Sequence, residues 1–319
     1  MATASRLLLV MNLFVFVIAA SAHETTALPE PSVTRIALGS CAFQWEDQAI
    51  LNRVVEARPD IYLSLGDAIY GDFDGENLVP VTPESLKSEW ARLAAIPAFQ
   101  NLRANVPILA TWDNHDYGCH DCGAEFSLKK ESEQVFLDFW QVPTEAPVRQ
   151  YPGVYQSKFL DSQGKQIQII LLDTRTFRDR HLLAERPQEQ GGSLGKYAPN
   201  PNPGAQLLGN AQWSWLEREL KLHADLRFIA SSTQVIADQK GMDEWGNYPA
   251  ERQRLIDLIN QTTAGNVVLL SEMCITQRFR KSMQFLIPCM TSPPAVSPTS
   301  VKNMPKFQIP TGFLIPTPS

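Results

Sequence analysis

A layered α/β fold around a central β-sandwich is the architecture this sequence predicts, and three observations predict it. Apolar strand-like runs alternate with amphipathic helical stretches along the chain. Three of the runs end abruptly in loops crowded with metal-capable side chains. With 319 residues, 44% of them hydrophobic, the chain can bury one large core, or one core with a small accessory layer.

The first strand is expected over 35–38, running into Gly39-Ser40-Cys41. A helix over 48–56 leads to a strand over 61–65, which runs into Gly66-Asp67-Ala68-Ile69-Tyr70. Glycines at these junctions permit tight turns and close backbone approach. A helix over 84–93, broken near Pro97, precedes a strand over 107–110 and the segment Ala110-Thr-Trp-Asp-Asn-His-Asp-Tyr-Gly118. Residues 132–139 form an amphipathic helix anchored by Phe136, Phe139 and Trp140. Segments 153–159 and 166–172 alternate like paired strands about the Asp161-Ser-Gln-Gly turn. A helix over 209–222, a strand over 227–230, a helix over 249–260 and a strand over 266–270 follow. Between the strand 166–172 and the helix 209–222, residues 185–206 are rich in Gly, Pro and Asn and are expected to form an exposed loop near the mouth of the site.

In open α/β sheets, ligands bind beyond the carboxyl ends of the strands. There the chain delivers a thiolate (Cys41), a carboxylate (Asp67) and a phenolate (Tyr70), then Asp113, Asn114, His115 and Asp116. Carboxylate, amide and imidazole donors suit iron, zinc, manganese or calcium. For 113–116 alone, a polar turn with a helix cap is the alternative. Cys119-His-Asp-Cys122 can close a small disulfide loop, stay reduced, or form half of a zinc site. No second paired-cysteine motif with suitable spacing supports zinc.

Taken in order, G-S-C, L-G-D-x-I-Y, T-W-D-N-H-D-Y-G and L-L-D-T-R-T-F-R-D (Leu171 to Asp179) resemble the alkaline phosphatase D (PhoD-like) family. Gln212-Trp213-Ser-Trp215-Leu216-Glu217 and Trp245-Gly-Asn-Tyr248-Pro249-Ala-Glu251-Arg252 extend the resemblance, which runs from about Thr34 to Ser271. It implies the calcineurin-like metallophosphoesterase fold, an α/β/β/α sandwich whose C-terminal part is incomplete here. It also implies a dinuclear or multinuclear metal site, ferric iron plus a divalent ion (calcium, zinc or manganese), bound by Cys41, Asp67, Tyr70 and Asn114, with Asp113 coordinating or supporting. Thiolate and phenolate donors favour a trivalent ion, and Asp67 can bridge two. Asn114 departs from the aspartate usual in relatives and removes one negative charge. His115 is the candidate general acid, oriented by Asp116. Arg175, positioned by Asp173, offers a fork for two phosphate oxygens. Arg178 is a weaker candidate for that role, and Arg252 is assigned to structure. Trp112, Trp245 and Tyr248 either line the cleft or fill the core. The implied reaction is hydrolysis of a small-molecule phosphate ester, mono- or diester, by a metal-activated hydroxide. The alternatives are hydrolysis of another ester and a non-catalytic, secreted anion-binding protein of the same fold.

The domain reading is a secretory signal over 1–22, the phosphatase domain over 23–271 and an aberrant tail over 272–319. Arg6, the apolar run Leu7 to Ala19 and Ala20-Ser21-Ala22 make the signal pattern, and so point to secretion or the endomembrane lumen. The apolar run is short for a membrane anchor. The family motif G-D-V-H is expected directly after Ser271, where this chain has Glu272, Met273, Cys274 and Ile275. Codons for 271–281 exist in which one added base yields S-G-D-V-H-Y-A-E-I-S-K. The same shifted frame can read M-Y-D-L-T-S-S-G-L-T-H across 289–299. An out-of-frame tail lacking two ligands, and an enzyme weakened by their loss, are therefore expected. The net charge of −6 argues against duplex nucleic acid as a partner, and a monomer is expected.

Overall fold

Strands β1 (Arg35–Gly39) and β2 (Ile61–Ser64) lie parallel, with helix α1 (Ile50–Glu56) crossing between them. The structure is a computed structural model that describes residues 32–190, 193–236, 241–262, 265–272 and 284–288. Helices α2 (Pro83–Ala95) and α3 (Pro97–Asn105) make the next crossover, to β3 (Ile108–Ala110), again parallel. Thr82 caps α2: its Oγ1 accepts from the Ser85 N–H at 3.1 Å, and its own N–H donates to Ser85 Oγ at 2.9 Å. The helix stops at Ile96 because a residue before proline is driven to extended backbone, and Ile96 has ψ of 121°.

After the single turn α4 (Asn114–Tyr117) and α5 (Lys129–Phe139), the chain builds a second sheet. Strands β4 (Gln156–Ser162) and β5 (Lys165–Leu171) form a hairpin whose two turn residues, Gln163 and Gly164, both have positive φ (55° and 79°). That conformation matches the twist of the flanking strands. A separate hairpin follows, β6 (Leu182–Gln190) with β7 (Ser193–Ala198). Then come α6 (Gly209–Lys221), β8 (Leu226–Ser231), α7 (Pro249–Gln261) and β9 (Val267–Ser271), with β8 and β9 parallel to β5. The last described element, β10 (Gln284–Pro288), pairs antiparallel with β1.

The two four-stranded sheets run β10-β1-β2-β3 and β4-β5-β8-β9. Side chains alternate across each strand, and the alternation sorts them into layers. Ile36, Leu38, Ile61, Leu63, Ile167, Ile169, Leu171, Phe228 and Ala230 fill the space between the sheets. Ala37 and Tyr62 face outward onto α1, α2, α3 and α5, with Leu51, Leu86, Trp90, Leu102 and Phe136. Ile170 and Ile229 face α6 and α7, with Trp213, Leu216, Leu220 and Leu255. The molecule is thus an α/β/β/α sandwich, as the sequence predicts.

Two expectations change. The segment 185–206, expected as a loop, contributes most of the β6–β7 hairpin. Its pairing register shifts between Leu183 and Gln188, so no clean two-residue period is written in the sequence. The segment after 271, read as lacking strand rhythm, supplies β10. Trp112, Trp245 and Tyr248 are at most 2% exposed and belong to the core, which decides between cleft and packing. Arg252 donates to the carbonyls of Val235 (2.7 Å) and Ile236 (3.0 Å), a structural role as expected. The signal segment 1–22 and most of 272–319 lie outside the described residues. Among the described residues, no helix is long and apolar enough to cross a membrane.

Candidate metal centre

The carboxyl ends of β1 and β2 are stitched together beyond the strands themselves. Cys41 N–H donates to Gly66 O (3.2 Å) and Ala42 N–H to Asp67 O (2.8 Å). Cys41 and Asp67 both sit at positive φ, 55° and 51°, a conformation non-glycine residues hold only where the surroundings over-determine it. The result is that their side chains share one buried point. β9 delivers a third. Cys41 Sγ, an Asp67 carboxylate oxygen and a Glu272 carboxylate oxygen all lie within 4.8 Å of one another. Glu272, the first residue of the segment read as lacking two ligands, brings a carboxylate into the cluster.

Tyr70 joins from the β2 loop, its hydroxyl hydrogen-bonded to Cys41. Gln44 holds its backbone on both sides, accepting from Tyr70 N–H (2.9 Å) and donating to Tyr70 O (3.1 Å). Gly66 is required for the close approach. It has φ of +124°, and a Cβ there would stand 2.7 Å from Asp113 Cβ and 3.0 Å from Glu272 Oε2. We expect Gly66→Ala to lose about 1–3 kcal/mol of stability and to widen the cluster. A urea melt within 0.5 kcal/mol of wild type, roughly the neutral range for surface changes, would contradict that.

His115 and Asp116 stand differently from expectation. His115 Nδ1 meets Asp72 Oδ1 at 2.6 Å, so Asp72 orients the ring. Asp116 instead accepts from Ile69 N–H (3.0 Å) and Asp113 N–H (3.0 Å). It ties the turn α4 to the β2 loop, with Asp113 as N-cap and Asp116 three residues on. The His115 ring lies 4.2 Å from that of Tyr70, and the His115 backbone N–H donates to Asp67 Oδ1 at 3.2 Å. Burial lowers the pKa of His115, but Asp67 and the hydrogen-bonded Asp72 outweigh this and raise it to about 9.

Arg175 is also corrected. It is fully buried, and its guanidinium is engaged by two carboxylates. Nε donates to Asp113 Oδ1 at 2.8 Å, Nη2 meets the same oxygen, and Nη1 stands 2.5 Å from Asp243 Oδ2. The guanidinium is wholly buried and faces carboxylates on both edges, so it presents no fork to solvent. Asp173 holds the local turn, accepting from the N–H groups of Arg175 (2.8 Å) and Thr176 (2.9 Å), and does not touch the guanidinium. Arg178 is buried too, 3.9 Å from Asp243 Oδ1 and 3.3 Å from the Tyr248 hydroxyl. Asp243 also pairs with His181 at 2.8 Å. Asp72, Glu272 and Asp243 are the residues sequence reasoning passes over. A signal exists for the first two: Asp72 closes the run G-D-A-I-Y-G-D, and Glu272 follows a strand end. Asp243 gives none.

Burial raises the pKa values of Cys41, Asp67 and Tyr70; Asp67 raises the first and last further, and Asp113 and Asp116 raise Asp67 against the lowering pull of His115. Glu272 is raised by burial, then by Asp113, Cys41 and Asp67. Its Oε2 is buried without a hydrogen-bond partner. Acid groups crowded this way out of water call for a cation, which reverses each of these shifts. A thiol, a phenol and two carboxylates fit a metal in charge and in donor type. Cys119 and Cys122 form a disulfide, and Cys41 lies outside it, buried.

An α/β/β/α sandwich with this donor set at the carboxyl ends of its strands is a fold of the metallophosphoesterase kind. Residues 36–272 match the PhoD-like phosphatase family, and the chain belongs to it. Alkaline phosphatase D of Bacillus subtilis strain 168 is 24% identical over 292 residues, covering 78% of this chain and 47% of that protein. The chain therefore spans about half the length of this curated relative. A solved structure of PhoD superposes with a TM-score of 0.60 at 20% identity, over 76% of this chain and 51% of that one. A dimetal phosphatase from Danio rerio gives 0.44 at 14% identity, over 75% and 81%.

Proposed function

We propose that this chain hydrolyses small-molecule phosphate esters at a metal centre held by Cys41, Asp67, Tyr70 and Glu272. Asn114 and Asp113 would hold a second ion. One observation carries the proposal: a buried thiol, a buried carboxylate and the Glu272 carboxylate lie within 4.8 Å of one another, with the Tyr70 hydroxyl hydrogen-bonded to the thiol and an oriented histidine alongside. A metal pair bound there supplies Lewis-acid stabilisation of phosphoryl charge and lowers the pKa of a water. Ferric iron suits the thiolate and phenolate side, and calcium, zinc or manganese the oxygen side.

The protein's own groups do the rest. Asp72 fixes Nδ1 of His115, which leaves Nε2 to hold or release a proton toward a leaving oxygen. Arg175 holds Asp113 in place, and through Asp243 ties it to Arg178 and His181. Asp116 sets the spacing between the α4 turn and the β2 loop. Secretion after removal of 1–22 fits the disulfide Cys119–Cys122, and a monomer is retained as the working state.

The test is hydrolysis of 4-nitrophenyl phosphate and bis(4-nitrophenyl) phosphate by the purified chain and by Asp67→Asn and His115→Asn. We expect turnover to fall about a hundredfold or more in each. Rates unchanged in Asp67→Asn would overturn the proposal. The non-catalytic anion-binding reading is disfavoured by Arg175, whose guanidinium already faces two carboxylates. The out-of-frame reading of 272–319 has a direct test in the transcript across 271–281. A recovered base there would replace Glu272 by the G-D-V-H loop.

A further inference from the structure

We infer that His120 and Asp121 are positioning residues that aim the Asn114 side-chain carbonyl, a reading that rests on the metal centre proposed above. Asn114 Nδ2 lies 3.2 Å from Asp121 Oδ1 and 3.1 Å from His120 Nδ1. A carboxylate only accepts hydrogen bonds, so the amide nitrogen of Asn114, not its oxygen, faces Asp121. With the amide turned that way, His120 Nδ1 must be an acceptor. The ring proton then sits on Nε2, which stands 3.3 Å from Asp121 Oδ2. One carboxylate thereby settles the amide orientation and the histidine tautomer together. Both amide hydrogens are engaged, and Oδ1 is turned away from His120 and Asp121. Asn114 stands between Asp113, which meets Arg175, and His115, whose backbone N–H donates to Asp67.

Asp121 is itself firmly held. Tyr197 Oη donates to its Oδ2 at 2.6 Å, and Lys196 Nζ lies 3.2 Å from the same oxygen. Arg178 Nη2 donates to its backbone carbonyl at 2.6 Å. The Cys119–Cys122 disulfide closes the loop on either side of the pair, and Asp121 takes φ of +53° within it. The His120 ring stacks on that of His115 at 5.4 Å. Strand β7, which carries Lys196 and Tyr197, thus braces the neutral amide of Asn114 through Asp121. An amide binds a cation only through its oxygen. An unaimed Asn114 would offer its nitrogen as readily, so the chain that carries Asn here needs this brace.

Manganese(II) is the probe, with the free ion counted by electron paramagnetic resonance in equilibrium titrations of the full chain. We expect Asp121→Ala and His120→Ala to weaken manganese binding about 10–100-fold. Asp121→Asn, which keeps an oxygen acceptor toward Nδ2, should recover binding to within a few-fold of wild type. Unchanged affinity in both alanine variants would overturn the inference while leaving the metal centre standing. Wild type that binds no manganese, iron or other divalent ion would overturn the centre and the inference with it. Equal losses in Asp121→Asn and Asp121→Ala would also overturn it, since shape rather than an acceptor would then be what matters. His120 is 37% exposed in its side chain, so His120→Ala carries the test if Asp121→Ala does not fold.

Discussion

Arg175→Ala is expected to destabilise the fold by about 3–5 kcal/mol, the usual result of removing one partner from a buried ion pair. The wild-type guanidinium is fully buried between Asp113 and Asp243. Its loss leaves two carboxylates facing one another out of water, with Arg178 at 3.9 Å the nearest remaining countercharge to Asp243. Arg175→Lys should rescue little of the loss, because a point charge cannot reach both Asp113 and Asp243 as the planar fork does. Pairing Arg175→Ala with Asp113→Asn should recover part of it by removing one unpaired charge. Equilibrium urea unfolding of the four proteins checks the series. A single-variant loss under 1 kcal/mol, roughly that of an exposed pair, would show that the network is hydrated and the buried reading wrong.

The second large effect is at Glu272. The metal-loaded chain should be more stable than the metal-free chain by about 2.7 kcal/mol when free metal is a hundred times its Kd, because the four donors meet only in the folded state. Glu272→Ala removes the one ligand that comes from the second sheet. It should cost at least roughly a hundredfold in affinity, at the upper end of what outer partners contribute, and should abolish most of the metal-induced rise in melting temperature. Glu272→Asp restores the charge on a shorter arm and should recover part of both. A melting temperature that responds to metal equally in wild type and Glu272→Ala would remove Glu272 from the site.

The sandwich is legible in the sequence because β1, β2, β5 and β8 are buried on both faces and read as near-continuous apolar runs, and because parallel strands require the helices that alternate with them. Cys41, Asp67 and Tyr70 are legible for a related reason: a strand that ends at a sheet edge places its next side chains in the crevice. Glu272 obeys the same rule after β9, but matching against G-D-V-H tests residue identity and so hides a carboxylate that arrives one position early. The pairing of His115 with Asp72 rather than Asp116 depends on how the imidazole turns, which sequence proximity misjudges. Asp116 is readable in another way, since Asp113 and Asp116 have the spacing of an N-cap and its third residue. The closure of Arg175 onto Asp243 joins residues far apart in the chain through two loops. No local period or spacing writes that contact, and an arginine beside a strand end reads the same whether it faces solvent or a carboxylate.

The central claim is that Cys41, Asp67, Tyr70 and Glu272 hold the metal that drives phosphate-ester hydrolysis. Elemental analysis of the purified chain, with 4-nitrophenyl phosphate turnover followed on the same sample as metal is stripped by chelator and returned, tests it most directly. The account predicts bound metal in stoichiometric amount, turnover lost with the metal and regained on its return, and neither metal nor turnover in Cys41→Ala. Turnover that persists in the metal-free chain, or a fully loaded Cys41→Ala variant, would contradict it.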